Sequence, residues 1–525
     1  MSARHLDADV AIVGSGFSGS LTAMALRKSG RSVVLLERGR HPRFAIGESS
    51  TPLANLLLEQ LCDEWGLDAI RPLCKMGTWQ RTYPWIACGL KRGFSFFRHT
   101  PGAPFRDDDS HARQLLVAAS PHDEISDTHW YRPDFDAFLA AQAEQAGAAH
   151  LDLTDVRSMV EDDGGVALEA SREGSAVAVR ARFLIDASGP RGFLHRMLGM
   201  ADEPLRRLPP TAALYAHFTG VTLWEDVWRE NGSRRPPFPV DAAALHHVFP
   251  GGWIWVLRFN NGITSAGVAA TQPLAGELNL AEGEPAWQRL LRTLPSVAEQ
   301  FARAQAVTPF FYSPRLAFRA RTVVGRRWAM LPSAAGVIDP LLSTGFPLTL
   351  LGVQRLVGIL HRHWNGAGLE DALAEYARDA VRELDATESL VAALYATMDD
   401  FELFKRLTLL YFAAASFTET VRRLGRPERA RGFLLSADPA FSCEFEACVS
   451  AALRRPAGAA RAALMARIDR AIAPYDVAGL GDRTRRDWYP VLADDLLKAA
   501  PRVGATDDEI HRLLERCGFE PANKV

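Results

Sequence analysis

The run Asp9-Val10-Ala11-Ile12-Val13-Gly14-Ser15-Gly16-Phe17-Ser18-Gly19 constrains the fold of this chain more than any other segment. A short apolar strand runs into three glycines at G-x-G-x-x-G spacing, and Ser20 to Lys28, which favours helix, follows. Gly30 closes that helix, Arg31 to Leu36 reads as a second strand, and Glu37 sits at its end, eighteen residues beyond Gly19. This is a βαβ unit with a dinucleotide fingerprint in register. The first glycine makes the turn, the second lets backbone N–H groups approach a pyrophosphate, and the third packs helix on strand. Gly14, Ser15, Gly16, Ser18 and Gly19 are therefore candidate cofactor contacts, and Glu37 is placed to accept from ribose hydroxyls. A carboxylate there disfavours a 2'-phosphate, so FAD or NAD fits better than NADP.

Composition removes several alternatives. Sixty Lys plus Arg against sixty-two Asp plus Glu gives a formal charge of -2, which leaves no field to hold a polyanion, so nucleic acid is not an expected partner. The cysteines, at 62, 74, 88, 443, 448 and 517, form no CxxC or CxxH pair, so no metal site is expected and they read as reduced thiols. The first apolar run stops at Gly14, too short for a signal peptide, and Val337 to Leu360 carries Asp339, Gln354 and Arg355 with two prolines. A buried core helix is expected there rather than a membrane span, and the chain reads as cytoplasmic.

Beyond the fingerprint, a helix is expected near Leu53 to Trp65, an aromatic stretch from Trp79 to Phe97, and strands from Ala176 to Ile185 that stop at Asp186-Ala187-Ser188-Gly189. From Thr211 to Ala270 strand-like runs alternate with turns such as Asn260-Asn261-Gly262, which predicts an antiparallel sheet serving as a substrate wall. After about Glu370 apolar residues recur every three or four positions, so 366–525 reads as a helical C-terminal subdomain. Its aromatics, Phe401, Phe404, Tyr411, Phe412 and Phe417, read as core. The expected architecture is α/β: a Rossmann-type unit over 1–365, with substrate-region insertions at about 51–129 and 200–305, followed by that helical region.

Several separated motifs resemble those of flavin-dependent halogenases, within the aromatic-hydroxylase-like FAD oxidoreductases. They are the fingerprint, Arg43 with Gly47-Glu48-Ser49, Arg132 with Phe135-Asp136, Asp186-Ala187-Ser188-Gly189, Trp253-Ile254-Trp255, and Ala334 through Gly345. The resemblance covers roughly residues 8 to 360. It implies FAD as cofactor, used as FADH2 from a separate flavin reductase, with O2 and chloride or bromide as co-substrates. It adds Arg38, Arg43, Ser49, Arg132, Ser333, Asp339 and Gly345 to the FAD contacts, Thr344 and Gly345 as halide-binding residues, and Trp253 and Trp255 to the substrate region.

Lys91-Arg92-Gly93-Phe94 resembles the segment that presents the active lysine of that family, where hypohalous acid is held as a hydrogen-bonded adduct or a chloramine. Lys91 is the candidate catalytic residue; Lys75 lacks the glycine and aromatic context. An amine suits this task because it donates to, or attacks, an electrophilic halogen carrier, which an ionised carboxylate cannot do. Free lysine has a pKa near ~10.4, so only about one part in two thousand is neutral at pH 7, and a chloramine route favours a depressed pKa.

Three positions depart from the family pattern. Pro332-Ser333 stands where Gly-Asp is usual, so a hydroxyl replaces the carboxylate toward the ribityl chain. Trp253-Ile254-Trp255-Val256-Leu257-Arg258 replaces Trp-x-Trp-x-Ile-Pro, and Leu342 occupies the place of the glutamate of tryptophan halogenases. The expected substrate is therefore a small phenol or pyrrole, free or tethered to a carrier protein. His246, His247, Asp107 and Glu124 are available as the base that removes a ring proton. The rival activity is flavin-dependent hydroxylation of an aromatic or peptide substrate.

Overall fold

The computed structural model describes residues 4–106, 110–228, 235–364, 366 and 368–519. The first unit is β1 (Arg4–Val13), α1 (Phe17–Lys28) and β2 (Val33–Leu36), followed by α2 (Pro52–Trp65). Strands β3 (Cys88–Lys91), β4 (Gly93–Arg98), β5 (Gln114–Ala118) and β6 (Asp127–Trp130) lead to α3 (Arg132–Gln145). Next come β7 (Ala149–Leu151), β8 (Thr154–Asp162), β9 (Gly165–Arg172) and β10 (Ser175–Asp186). A second series comprises β11 (Thr211–Thr219), β12 (Ala244–Phe249), β13 (Gly252–Arg258) and β14 (Thr264–Thr271). After β15 (Trp328–Met330) the long helices α4 (Gly345–His363), α5 (Leu369–Ala396) and α6 (Phe401–Arg423) dominate, with β16 (Trp488–Tyr489) and α7 (Asp507–Arg516) near the end.

The first sheet has the order β7-β2-β1-β10-β9-β8, with β15 beside the last residues of β10. β1 lies parallel to both β2 and β10, as the βαβ reading requires. The Val13↔Asp186 register brings the end of β10 against the glycine turn. A methyl added at Gly14, where φ is +103°, would lie 2.6 Å from the Ala187 carbonyl oxygen, and one at Gly19 would lie 1.9 Å from that of Gly14. Only a residue without Cβ allows this closure.

The second sheet has the order β11-β14-β13-β12-β4-β5-β16, with two short strands, Gln305–Ala306 and Phe311–Ser313, paired along the other side of β11. Its β11 to β14 part is antiparallel, and the β13–β14 hairpin turns at Asn261, whose side chain accepts from the Ile263 N–H. The expectation of an antiparallel sheet needs correction at its edge, because β4 joins β12 in parallel and β16 joins β5 in parallel. A parallel neighbour needs a long crossover, and here the chain between β4 and β12, including most of the Rossmann sheet, supplies it.

α4 begins at Gly345, two residues before Pro347, so the proline occupies the first turn, where its missing N–H costs nothing. The segment Leu341–His363 is long and apolar enough to cross a membrane, yet 83% of its most apolar window is buried inside the protein. One contiguous apolar core runs from β1 through α4 to α6 and α7, so the C-terminal helices share the interior of the Rossmann half. The six cysteines are free thiols, four of them buried.

Candidate active site

Two regions carry the chemistry, and they meet through a chain of aromatic rings. Phe17 of the glycine turn packs edge-on against Trp130 and Phe346, at 5.5 and 5.0 Å, and Phe346 stacks on Trp130 at 4.3 Å. Residues far apart in sequence, at the starts of α1 and α4 and the end of β6, are thus fixed to one another.

The first region is a cleft of about 450 Å³ lined by Gly14, Glu37, Arg38, Arg43, Ser188 and Arg191 among others. Glu37 is buried, and its carboxylate accepts from the Ser15 N–H at 3.0 Å, the Gly39 N–H at 2.8 Å and Arg43 at 3.1 Å. Burial pushes its carboxyl up, but Arg43 and the two N–H groups outweigh it and hold it below the usual carboxylate range. Gly16 faces a cradle: a Cβ there would lie 3.6 Å from Arg132 and Asp136 and 3.7 Å from Arg43. Arg132 is bidentate to Asp136 and also donates to the Gly47 carbonyl at 2.8 Å, which sets the loop ahead of Glu48. The buried Arg43 Nε has no hydrogen-bond partner. A pyrophosphate fits this donor set: two guanidinium groups, a helix N-terminus and a backbone approach open only at glycine. Glu37→Gln would remove the charge that orients Arg43. A titration of FAD by fluorescence quenching should show affinity about tenfold weaker, as expected for one charge-assisted hydrogen bond; an unchanged Kd would contradict this role.

Arg38, expected at FAD, is an exposed residue at the rim of this cleft. Other residues expected there lie elsewhere, and Ser18 is buried within α1. Ser333 is half-buried in a short helix, Pro332–Ala335. Asp339 turns inward, accepting from the Leu341 N–H and the Tyr395 hydroxyl, both at 2.9 Å. It therefore braces the loop ahead of α4, and burial raises its carboxyl to about 7. In that loop Leu342 and Ser343 both have positive φ, 69° and 55°, which non-glycine residues rarely adopt. Tyr411 of α6 donates to the Leu342 carbonyl at 3.0 Å and helps to hold the strained turn. Thr344 is buried and Gly345 exposed at the start of α4, where the first N–H groups of the helix face the loop.

The second region surrounds Lys91, at the end of β3. Its side chain is fully buried, and its Nζ donates to Ser49 Oγ at 2.9 Å and to the Ser50 carbonyl, 3.9 Å from the centre of the Phe94 ring. The β3–β6 register sets Lys91 opposite Asp127. Burial pulls the amine down to about 7 against the opposing effect of that carboxylate. Asp127 is pushed up to about 8 by burial, partly offset by Lys91. Asn55 donates to its Oδ1 at 2.9 Å, and its Oδ2 is buried without a partner. Ser49, expected at FAD, is thus a partner of the lysine.

Phe94 and Asp127 form one end of a cavity of about 200 Å³ whose opposite wall is C-terminal: Tyr411, Phe412, Glu419 and Arg423 of α6, with Leu513 of α7. Phe412 tilts onto Phe94 at 4.9 Å. Tyr411 and Phe412 are therefore pocket residues as well as core. Lys75 also lines this cavity, but its amine lies 3.7 Å from Glu59 in a charged cluster with Arg71 and Arg423.

Trp253 and Trp255 do not line it. They lie on the central strand β13, and Trp255 donates to Ser265 at 3.3 Å, so neighbours on both sides fill the space around them. None of the described base candidates faces the cavity. His246 stacks on Phe96 and bonds the Ser95 carbonyl, His247 lies between His99 and Gln300, and Glu124 pairs with Arg81 at the surface. Burial holds both histidines near about 3, and Asp107 lies outside the described residues. Sequence reading missed Asp127 and Asn55. Only the alternation of β6 could have suggested that Asp127 and His129 share a face.

The profile of the tryptophan halogenase family matches residues 127–404, and that of an NAD(P)-binding Rossmann-like domain matches residues 12–52. The chain is 30% identical over 403 residues to monodechloroaminopyrrolnitrin halogenase PrnC of Pseudomonas fluorescens, covering 75% of this chain and 69% of that protein. It is 32% identical over 362 residues to tetracycline 7-halogenase of Kitasatospora aureofaciens, covering 66% of this chain and 62% of that protein. The crystal structure of halogenase PltM in complex with phloroglucinol and FAD superposes with a TM-score of 0.79 at 26% identity, over 91% of this chain and 99% of that one.

Proposed function

Because the chain belongs to the tryptophan halogenase family, whose members here are flavin-dependent halogenases, we propose that it halogenates a small phenolic ring through Lys91. The observation that carries this reading is the buried Lys91 amine, held by Ser49 and Ser50 against Phe94, whose ring lines an aromatic cavity. Bound as reduced FAD supplied by a separate reductase, the cofactor activates O2 to oxidise chloride or bromide to hypohalous acid. Arg43 and Arg132 would hold its pyrophosphate, Glu37 would accept from its ribose hydroxyls, and Thr344 and Gly345 would hold the halide at the start of α4. Lys91 receives the hypohalous acid, and burial lowers its amine below the ordinary lysine range, which favours a nucleophilic form beside the donating one. Phe94, Tyr411 and Phe412 exclude water and pack the ring.

A phenol is favoured over an indole because Leu342 brings no carboxylate to the loop, and because a structural relative binds phloroglucinol. The chain is placed in the cytoplasm, acting on a free substrate. Competition between free phenols, free pyrroles and a carrier-tethered pyrrole, followed by product mass spectrometry with chloride or bromide, tests the substrate class. Halogen isotope patterns on the free phenols are expected first, and halogenation of the tethered pyrrole alone would overturn it. Phe412→Ala should raise KM for a one-ring phenol by about tenfold, since a lost aromatic contact is worth about 1 kcal/mol beyond its area. An unchanged KM would place the ring elsewhere.

A further inference from the structure

The reaction needs a group that takes the proton of the ring hydroxyl, and His246, His247 and Glu124, the described candidates for proton removal, do not line the cavity. We infer that Asp127, a wall residue of the cavity set directly opposite Lys91, is that proton acceptor; the inference rests on the reading of phenol halogenation above. Three observations converge on Asp127. It lines the cavity, its Oδ2 is buried without a hydrogen-bond partner, and its Oδ1 is held by Asn55 Nδ2 at 2.9 Å, so the carboxylate is oriented. Asn55 is in turn fixed by Ser50, which donates to its Oδ1 at 2.9 Å, and the Ser50 carbonyl accepts from Lys91. One loop thereby sets both the amine and the carboxylate. The charged groups facing Asp127 are Lys91 from β3 and Glu419 and Arg423 from α6; His129 and His246 lie near Lys91 and are held neutral by burial.

Asp127 accepts the hydroxyl proton while the ring carbon bonds the halogen of hypohalous acid held by Lys91. The oxygen–halogen bond breaks, and the departing hydroxide takes a proton from the Lys91 ammonium to become water. The neutral dienone loses its ring proton and regains one on oxygen through solvent, and the Asp127 proton returns to Lys91. The sum is phenol plus hypohalous acid to halophenol plus water. Burial makes Asp127 a stronger base than an ordinary carboxylate, while the charges of Lys91 and Arg423 and the Asn55 hydrogen bond favour its ionised form.

Asp127→Asn keeps the shape and the acceptor for Asn55, and two measurements test it. The first uses 4-cyanophenol bound to the protein at neutral pH, where the free probe is mostly protonated, with its ultraviolet band reporting ionisation. Wild type should bind it ionised and Asp127→Asn should bind it neutral. Neutral probe on wild type, equal ionisation on the variant, or no binding at all would overturn the inference. The second compares halogenation rates over phenols of rising acidity. The variant should lose about 100-fold or more on the least acidic phenols, and the loss should shrink as acidity rises. An equal loss across the series, or none, overturns the inference while phenol halogenation stands. A wild type that ionises the probe yet halogenates no phenol overturns the functional reading and, with it, this role.

Discussion

Lys91→Ala is expected to lower halogenation by more than about 1000-fold while FAD binding and the oxidation of reduced flavin by O2 stay near wild type. The amine lies outside the cleft that holds Glu37 and Arg43, so its loss leaves the cofactor contacts in place. What disappears is the one fully buried cation beside Phe94, opposite Asp127. Removing it takes away the larger of the two opposing charges that face Asp127, and its carboxyl rises further toward the protonated form. Both the halogen carrier and the proton acceptor are then impaired. Lys91→Met, which fills the same space, separates this from a packing defect: it should melt near wild type and be equally inactive. Substantial halogenation by either variant would move the chemistry to another amine, and Lys75, on the cavity wall, would be the next candidate.

The second large effect is expected at Gly19. A methyl there would stand 1.9 Å from the Gly14 carbonyl oxygen and 3.1 Å from the Ala187 side chain, so Gly19→Ala forces the turn open. Overpacking of this kind costs about 3 kcal/mol, and the same movement displaces the N–H groups that face the pyrophosphate. FAD affinity should fall by at least about 100-fold, measured by fluorescence quenching, with a lower Tm. Gly276→Ala is the control, since a methyl there meets nothing within 4 Å. Equal affinity in the two variants would show that the turn tolerates side chains and is not the cofactor cradle.

The parts of this architecture legible in the sequence are those set by local geometry. The glycine spacing, the β-branched strands and the acid at Glu37 specify a βαβ unit within one short stretch of chain, and the Val13↔Asp186 register completes it. The helix before Trp65 is legible for the same reason, starting after Thr51, whose side chain accepts from the Ala54 N–H. Contacts set across long loops are not legible. Alternation along β3 and β6 tells which residues share a face, but not that Lys91 meets Asp127, because register depends on the intervening chain. The aromatic residues of α6 follow the same helical period whether they meet a core or a cavity, so Tyr411 and Phe412 look alike in sequence and differ only in what they face. Trp253 and Trp255 mislead for the converse reason: a motif beside the site can sit on a strand whose neighbours bury it.

In the proposed reaction, oxygen's oxidising power reaches the substrate as halogen and not as an oxygen atom. Product mass spectrometry after incubation of the purified protein with FAD, a flavin reductase, NADH, bromide and ¹⁸O2, on a phenol such as phloroglucinol, tests this directly. A bromine isotope doublet with no ¹⁸O in the product is expected, and no product when bromide and chloride are both withheld. A product that carries ¹⁸O whether or not halide is present would contradict it and make the protein a hydroxylase.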